Sequence, residues 1–103
     1  MILITVMYPA GAEAKFDIGY YLSKHIPLLK DRWTSYGLSN VQVVRGVGKP
    51  DGSAPDYQMM ALLTFGSIEH FKAAGKAHGR DIFADIANFT NAQAAVQINE
   101  ILE

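Results

Sequence analysis

At 103 residues the chain has room for one domain, expected to span 1–103. Half of its residues are apolar and 18% are charged, a balance that excludes a disordered tail. The net charge of -1 argues against a nucleic-acid partner, and the lack of any cysteine excludes disulfides, thiolate metal sites and thiol catalysis.

The first element, Ile2–Tyr8, is a short β-branched run without the basic flank of a secretory leader, and it reads as a strand. No stretch nears the ~20 apolar residues that span a bilayer, so no membrane partner is expected and the cytoplasm is the expected location. Pro9-Ala10-Gly11 marks a turn. Phe16–Tyr36 reads as the first helix, with Asp17 as its N-cap and Gly37 just past its end. Asn40–Val47 and Tyr57–Phe65 read as the second and third strands, joined through the loop Gly48–Asp56. Ser67 is placed to cap a second helix, Ile68–Ala77. Gly79 is expected to interrupt it before a short helix, Asp81–Ala87, and Asn91–Ile101 reads as the fourth strand.

The order β-α-β-β-α-β predicts a ferredoxin-like α+β fold, a four-stranded antiparallel sheet with both helices on one face. Strands one and three then lie in the middle. Both are apolar on both sides: Ile4 and Val6 against Leu3 and Met7, Ala61 and Leu63 against Met60 and Leu62. Two helices cover only one face, so a second copy of the chain is the expected cover for the other. The expectation is a homodimer with its sheets packed face to face, a dimeric α+β barrel.

The first helix carries the main chemical signal. At about 100° per residue, Ile18, Tyr21, Leu22, Ile26, Leu28, Leu29, Trp33 and Tyr36 share an apolar arc. His25 falls near its middle, with Arg32 close by and Tyr21 one turn earlier. Burying such groups costs about 1–3 kcal/mol each unless a partner is found. Pro27 removes a backbone hydrogen bond and is expected to kink the helix beside His25. An imidazole titrates near neutral pH, so His25 in a cleft between helix and sheet can take and return protons. The same ring is equally a structural histidine bonded to a backbone carbonyl, and periodicity does not choose between them. For Arg32 the alternative is a rim ion pair, and for Tyr21 and Trp33 it is plain core.

Other residues add less. His78 continues the Phe71–Ala74 stripe and is placed to look into the same cleft. Tyr57, at the start of strand three, and Phe83, on the second helical stretch, complete the candidate binding residues. His78-x-x-Asp81 followed by Asp85 has nitrogen and oxygen ligand types, but Gly79 intervenes, so no metal site is expected. Asn88-Phe89-Thr90 matches a glycosylation sequon, which matters only in a secreted chain. No nucleophile sits beside a base in a known pattern, and the basic-aromatic pattern of RNA binders is missing from strand three. No cofactor is expected.

Phe16-Asp17, Tyr20-Tyr21-Leu22, Lys24-His25 and Pro27-Leu28 together resemble the signature of the EthD family, named for a protein encoded with an ethyl tert-butyl ether degradation system. Asp85-Ile86 with Asn88–Asn91, and the closing Val96-Gln97-Ile98, resemble that family too, so the similarity runs nearly end to end. The resemblance implies a dimeric α+β barrel. Similar barrels host cofactor-free monooxygenases that make quinones, muconolactone isomerases, haem-degrading enzymes and polyketide cyclases, so the fold does not choose the chemistry. By residue, the resemblance implies His25, with Tyr21 nearby, as the polar centre of a cleft.

Three functions stand open on these residues. The first is a cofactor-free oxidoreductase, of monooxygenase or proton-transfer type, in which His25 takes a proton from a small apolar or aromatic molecule. The second is a non-catalytic binding or accessory protein of a degradation pathway. The third is haem binding through His25 or His78, which rests on fold analogy alone.

Overall fold

A computed structural model of the chain describes residues 1–103. Strands β1 (Ile2–Pro9), β2 (Leu38–Arg45), β3 (Tyr57–Phe65) and β4 (Ala95–Glu100) form one antiparallel sheet in the order β2-β3-β1-β4. β1 and β3 hold the middle, where a strand apolar on both sides belongs. Two helices complete a ferredoxin-like α+β fold. No helix is long and apolar enough to cross a membrane.

The β1–β3 register sets Ile4 opposite Leu63 and Val6 opposite Ala61. Together with Tyr8, Met59 and Phe65, these side chains are buried against Tyr21, Leu29 and Trp33 of the first helix. Leu3, Met7, Met60 and Leu62 alternate onto the opposite face and remain half-exposed, because no element of this chain lies over them. β4 begins later than the sequence pattern suggests, at Ala95. Its Val96 and Ile98 lie opposite Val6 and Ile4, yet they are 43% and 45% exposed. The helix layer stops short of this edge strand.

The first helix starts where Asp17 accepts the Tyr20 N–H at 3.0 Å. It runs as a short α turn Ile18–Tyr20, a π turn Tyr21–His25, an α segment Ile26–Trp33 and a 3₁₀ turn Thr34–Tyr36. Phe16, expected inside the helix, instead bridges to Thr90. The second helix corrects a larger expectation. Gly79 does not break it: α segment Ile68–Ala74 passes through a second π turn, Gly75–Gly79, into α segment Arg80–Ala84 and a 3₁₀ turn Asp85–Asn88. Glycine weakens a helix by about 1 kcal/mol but does not forbid one. Ser67 caps this helix as expected, accepting the His70 N–H at 3.2 Å. The Trp33 indole donates to the Ala74 carbonyl at 2.8 Å and pins the two helices together.

Gly37 ends the first helix in the left-handed conformation, with φ 97°. A Cβ there would also lie 2.9 Å from His70 Cβ. Gly37→Ala is therefore expected to cost about 1–3 kcal/mol, read as a lower denaturant midpoint. Gly11→Ala, where an added Cβ meets nothing within 4 Å, is the control and should shift the midpoint little. Equal effects would contradict this account of the turn.

Candidate active site

The π turn Tyr21–His25 decides which side chains face the sheet. Its wider hydrogen bond runs from the Ile26 N–H to the Tyr21 carbonyl. Pro27 follows at once, and in a regular α-helix its ring would crowd the Ser23 carbonyl. The extra residue in the turn accommodates the proline and shifts the inward stripe by one position. Ordinary α spacing from Tyr21 leads through His25 and Leu28 to Arg32. With the inserted residue the stripe becomes Tyr21, Ile26, Leu29 and Trp33, all buried, while His25 stays buried beside it. Arg32 is thereby turned outward, where it pairs with Asp31 at 2.7 Å. The expectation that Arg32 lies close to His25 is corrected for this reason. Leu22, likewise expected on the inward arc, is 51% exposed.

His25 is 3% exposed and has a defined partner. Its Nδ1 lies 3.0 Å from Asp85 Oδ2, across 60 positions of sequence. The other carboxylate oxygen, Oδ1, accepts from the Tyr20 hydroxyl at 2.7 Å and the Asn88 amide at 2.9 Å. A carboxylate at Nδ1 fixes the proton on that nitrogen and leaves Nε2 with the free lone pair. Burial lowers the His25 pKa, and the Asp85 hydrogen bond and charge only partly offset that. Burial pushes the Asp85 carboxyl up, but hydrogen bonds from Tyr20, Asn88 and His25 outweigh it and hold the group below its ordinary value. The resting state is thus a neutral imidazole beside an ionised carboxylate.

Aromatic rings enclose this pair. Tyr21 stacks on His25 with ring centres 5.7 Å apart, and Phe89 lies 4.6 Å from His25. Tyr21 is fully buried, and its hydroxyl has no hydrogen-bond partner. Burial raises the phenol pKa well above its ordinary value, so the group remains a proton-bearing donor. An orphaned buried hydroxyl costs about 1–3 kcal/mol. It lines a hollow shared with His25, Tyr8, Leu29, Trp33 and Phe83. The void within measures about 10 Å³, space for roughly one water. The sequence reading is of a cleft between helix and sheet that a small molecule can enter, and the structure holds a nearly closed one, because core side chains from β1, β3 and both helices meet there.

The remaining candidates scatter. Trp33 and Phe83 line the hollow with His25 and Tyr21. Tyr57 stands at the start of β3 opposite Pro9, outside the hollow's lining. His78 packs edge-on against Tyr36 at 5.6 Å, away from His25. His78, Asp81 and Asp85 are not gathered, and no cluster of three or more His, Cys, Asp or Glu side chains is poised to hold a metal ion. Sequence reasoning missed Asp85 as the partner of His25. One signal was present: Ile82, Asp85 and Phe89 follow each other at spacings of three and four, so Asp85 shares a stripe with two buried residues.

Folding depresses the His25 pKa, so the unfolded chain binds this proton more readily than the folded one. The stability it confers is present above the ordinary imidazole value of about 6.5 and is lost as pH falls through the lowered value. Denaturant midpoints should decline as pH drops below about 6.5, and His25→Gln should flatten that decline. Asp85→Ala, which strips Nδ1 of its acceptor, should cost about 1–3 kcal/mol at neutral pH. A pH profile unchanged by His25→Gln would refute the assignment.

A family model described as the EthD domain matches residues 10–93. An EthD-like protein from Ralstonia eutropha JMP134 is 34% identical, covering 99% of this chain and 92% of its own, with a TM-score of 0.90. SnoaB, a cofactor-independent oxygenase from Streptomyces nogalater, is 10% identical, covering 99% of this chain and 92% of its own, with a TM-score of 0.66. A dimeric ferredoxin-like protein from an uncultured marine organism is 9% identical, covering 100% of this chain and 96% of its own, with a TM-score of 0.62. The last two share the fold alone. No curated protein matches the chain. With its model spanning 84 residues of 103 (10 to 93 inclusive) and a close structural relative of the same kind, the chain belongs to the EthD family.

Proposed function

We propose that the chain is a cofactor-free enzyme of small-molecule catabolism, with His25 as general base toward an apolar or aromatic compound carrying an acidic proton. The observation that carries this reading is the pairing of His25 Nδ1 with Asp85 at 3.0 Å, with the His25 side chain itself part of the lining of an apolar hollow. Neutral and oriented, the imidazole accepts the substrate proton at Nε2, and the imidazolium so formed is stabilised by Asp85. Tyr21, a donor without a partner, supplies a hydrogen bond to the oxygen on which negative charge develops. For a methylene beside a carbonyl, the resulting enolate gives its electrons to molecular oxygen. The carbon keeps one oxygen atom as a new carbonyl, and the other leaves as water with the two protons. The fold shared with a cofactor-independent oxygenase supports this chemistry by analogy.

The probe is 2-tetralone, an apolar aromatic ketone with acidic C–H bonds. Its hydrogen–deuterium exchange in D₂O is followed by NMR, with and without air. The wild-type chain should accelerate exchange, and His25→Ala should remove about 10²–10⁴-fold of that acceleration while the sheet still folds. Asp85→Asn should lower the rate less. Absence of any acceleration by the wild type would instead favour a binding or accessory role.

The same proposal includes a homodimer formed through the open sheet face. Leu3, Met7, Met60 and Leu62 are half-exposed there with only Thr5 and Thr64 between them on the central strands, a largely apolar surface of the kind that marks an interface. A dimeric relative of the same fold supports it. Light scattering should give twice the chain mass, and Leu62→Lys should shift the species to monomer. A wild-type chain that stays monomeric at working concentration would rule out this assembly.

A further inference from the structure

Phe83 and Ile86 each border two spaces. On one side they line the hollow that holds His25, Tyr21 and Trp33. On the other they line an open groove of about 470 Å³ floored by Ala87, Ala92 and Ala94. These two side chains are the only lining the spaces share. Phe83 is 37% exposed, and its ring centre lies 6.5 Å from that of Trp33. The inner void of about 10 Å³ admits no organic guest as it stands, while the groove does. Turning Phe83 outward vacates the volume of one benzene ring directly beside Trp33.

The helix that carries this wall is built to give. Phe83 and Ile86 follow the π turn that begins at Gly75 and ends at Gly79. Neither glycine has a positive φ, and an added Cβ at either would meet nothing within 4 Å. Neither backbone conformation nor packing requires glycine at these positions. What two glycines in a widened turn do supply is low resistance to displacement of the segment beyond them.

We infer that Phe83 and Ile86 are the partition between an outer and an inner compartment of one binding site, and that they select which guests reach His25. This rests on the proton-transfer reading proposed above. The outer groove is mostly apolar, with Thr90, Asn91 and Gln93 as the polar, uncharged part of its lining. The guest that fits both compartments is a flat, uncharged aromatic of more than one ring. Its acidic end enters the place vacated by Phe83 and meets His25 and Tyr21, while its far ring stays on the alanine floor.

Trp33 is the sole tryptophan and lines the hollow, so its fluorescence reports occupancy. Nitrobenzene and p-nitrophenol both quench indole emission, and only the second can ionise. In stopped flow, nitrobenzene should quench wild-type Trp33 at a rate that saturates with concentration, because opening limits access. Phe83→Ala should raise that rate about tenfold and abolish the saturation. Gly79→Ala should slow it and raise Tm. Rates indifferent to both substitutions overturn the partition. Should nitrobenzene follow this pattern while p-nitrophenol binds without gaining its anion's yellow absorbance, the partition stands and the proton-transfer reading fails. Should p-nitrophenol ionise while the rates stay indifferent to Phe83, the proton-transfer reading stands and the partition fails.

Discussion

The site depends on one contact, that of a buried imidazole with a carboxylate delivered from the other helix. A desolvated His25 without a partner would weaken the fold where β1, β3 and both helices meet. Asp85 removes that penalty and in doing so fixes which ring nitrogen is free. The contact survives only if the end of the second helix lies against the start of the first. Two further links hold it there: the Phe16–Thr90 bridge, which includes the Asp17 N–H donated to the Phe89 carbonyl at 2.7 Å, and the Trp33 indole on the Ala74 carbonyl. Stability and the proposed chemistry therefore rest on the same atoms in this molecule.

The two π turns give the helices different tasks. In the first, the inserted residue accommodates Pro27 and centres the inward stripe on Ile26, Leu29 and Trp33, leaving Arg32 and Leu22 exposed. In the second, the widened turn is flanked by glycines that packing does not require. A helix distorted in this way gives up backbone regularity to aim a side chain or to let one move.

Tyr21 is the polar group that the folded chain leaves unsatisfied. Tyr21 and His25 are the residues with polar side-chain atoms, beside Tyr8 and the Trp33 indole, in the lining of a hollow otherwise made of aromatic and aliphatic side chains. Membership of the EthD family fixes the architecture, and relatives of this architecture differ in chemistry. The function proposed for this chain therefore rests on the residues of the hollow more than on the fold around them.

Local signals in the sequence determined a great deal here. Asp17 and Ser67 cap, Gly37 terminates, the two-sided apolar runs Ile2–Tyr8 and Tyr57–Phe65 make central strands, and helical spacing turns His25 inward. Each of these is set by neighbours within a few residues, through backbone preference and hydrophobic period. Tertiary structure alone decided the rest. The slip of register at Tyr21–His25, the choice of Asp85 among ten acidic residues, and the closing of the hollow to about 10 Å³ all follow from how two helices settle on one sheet. Packing at that precision depends on the volumes and hydrogen bonds of residues distant along the chain, and no local period encodes them.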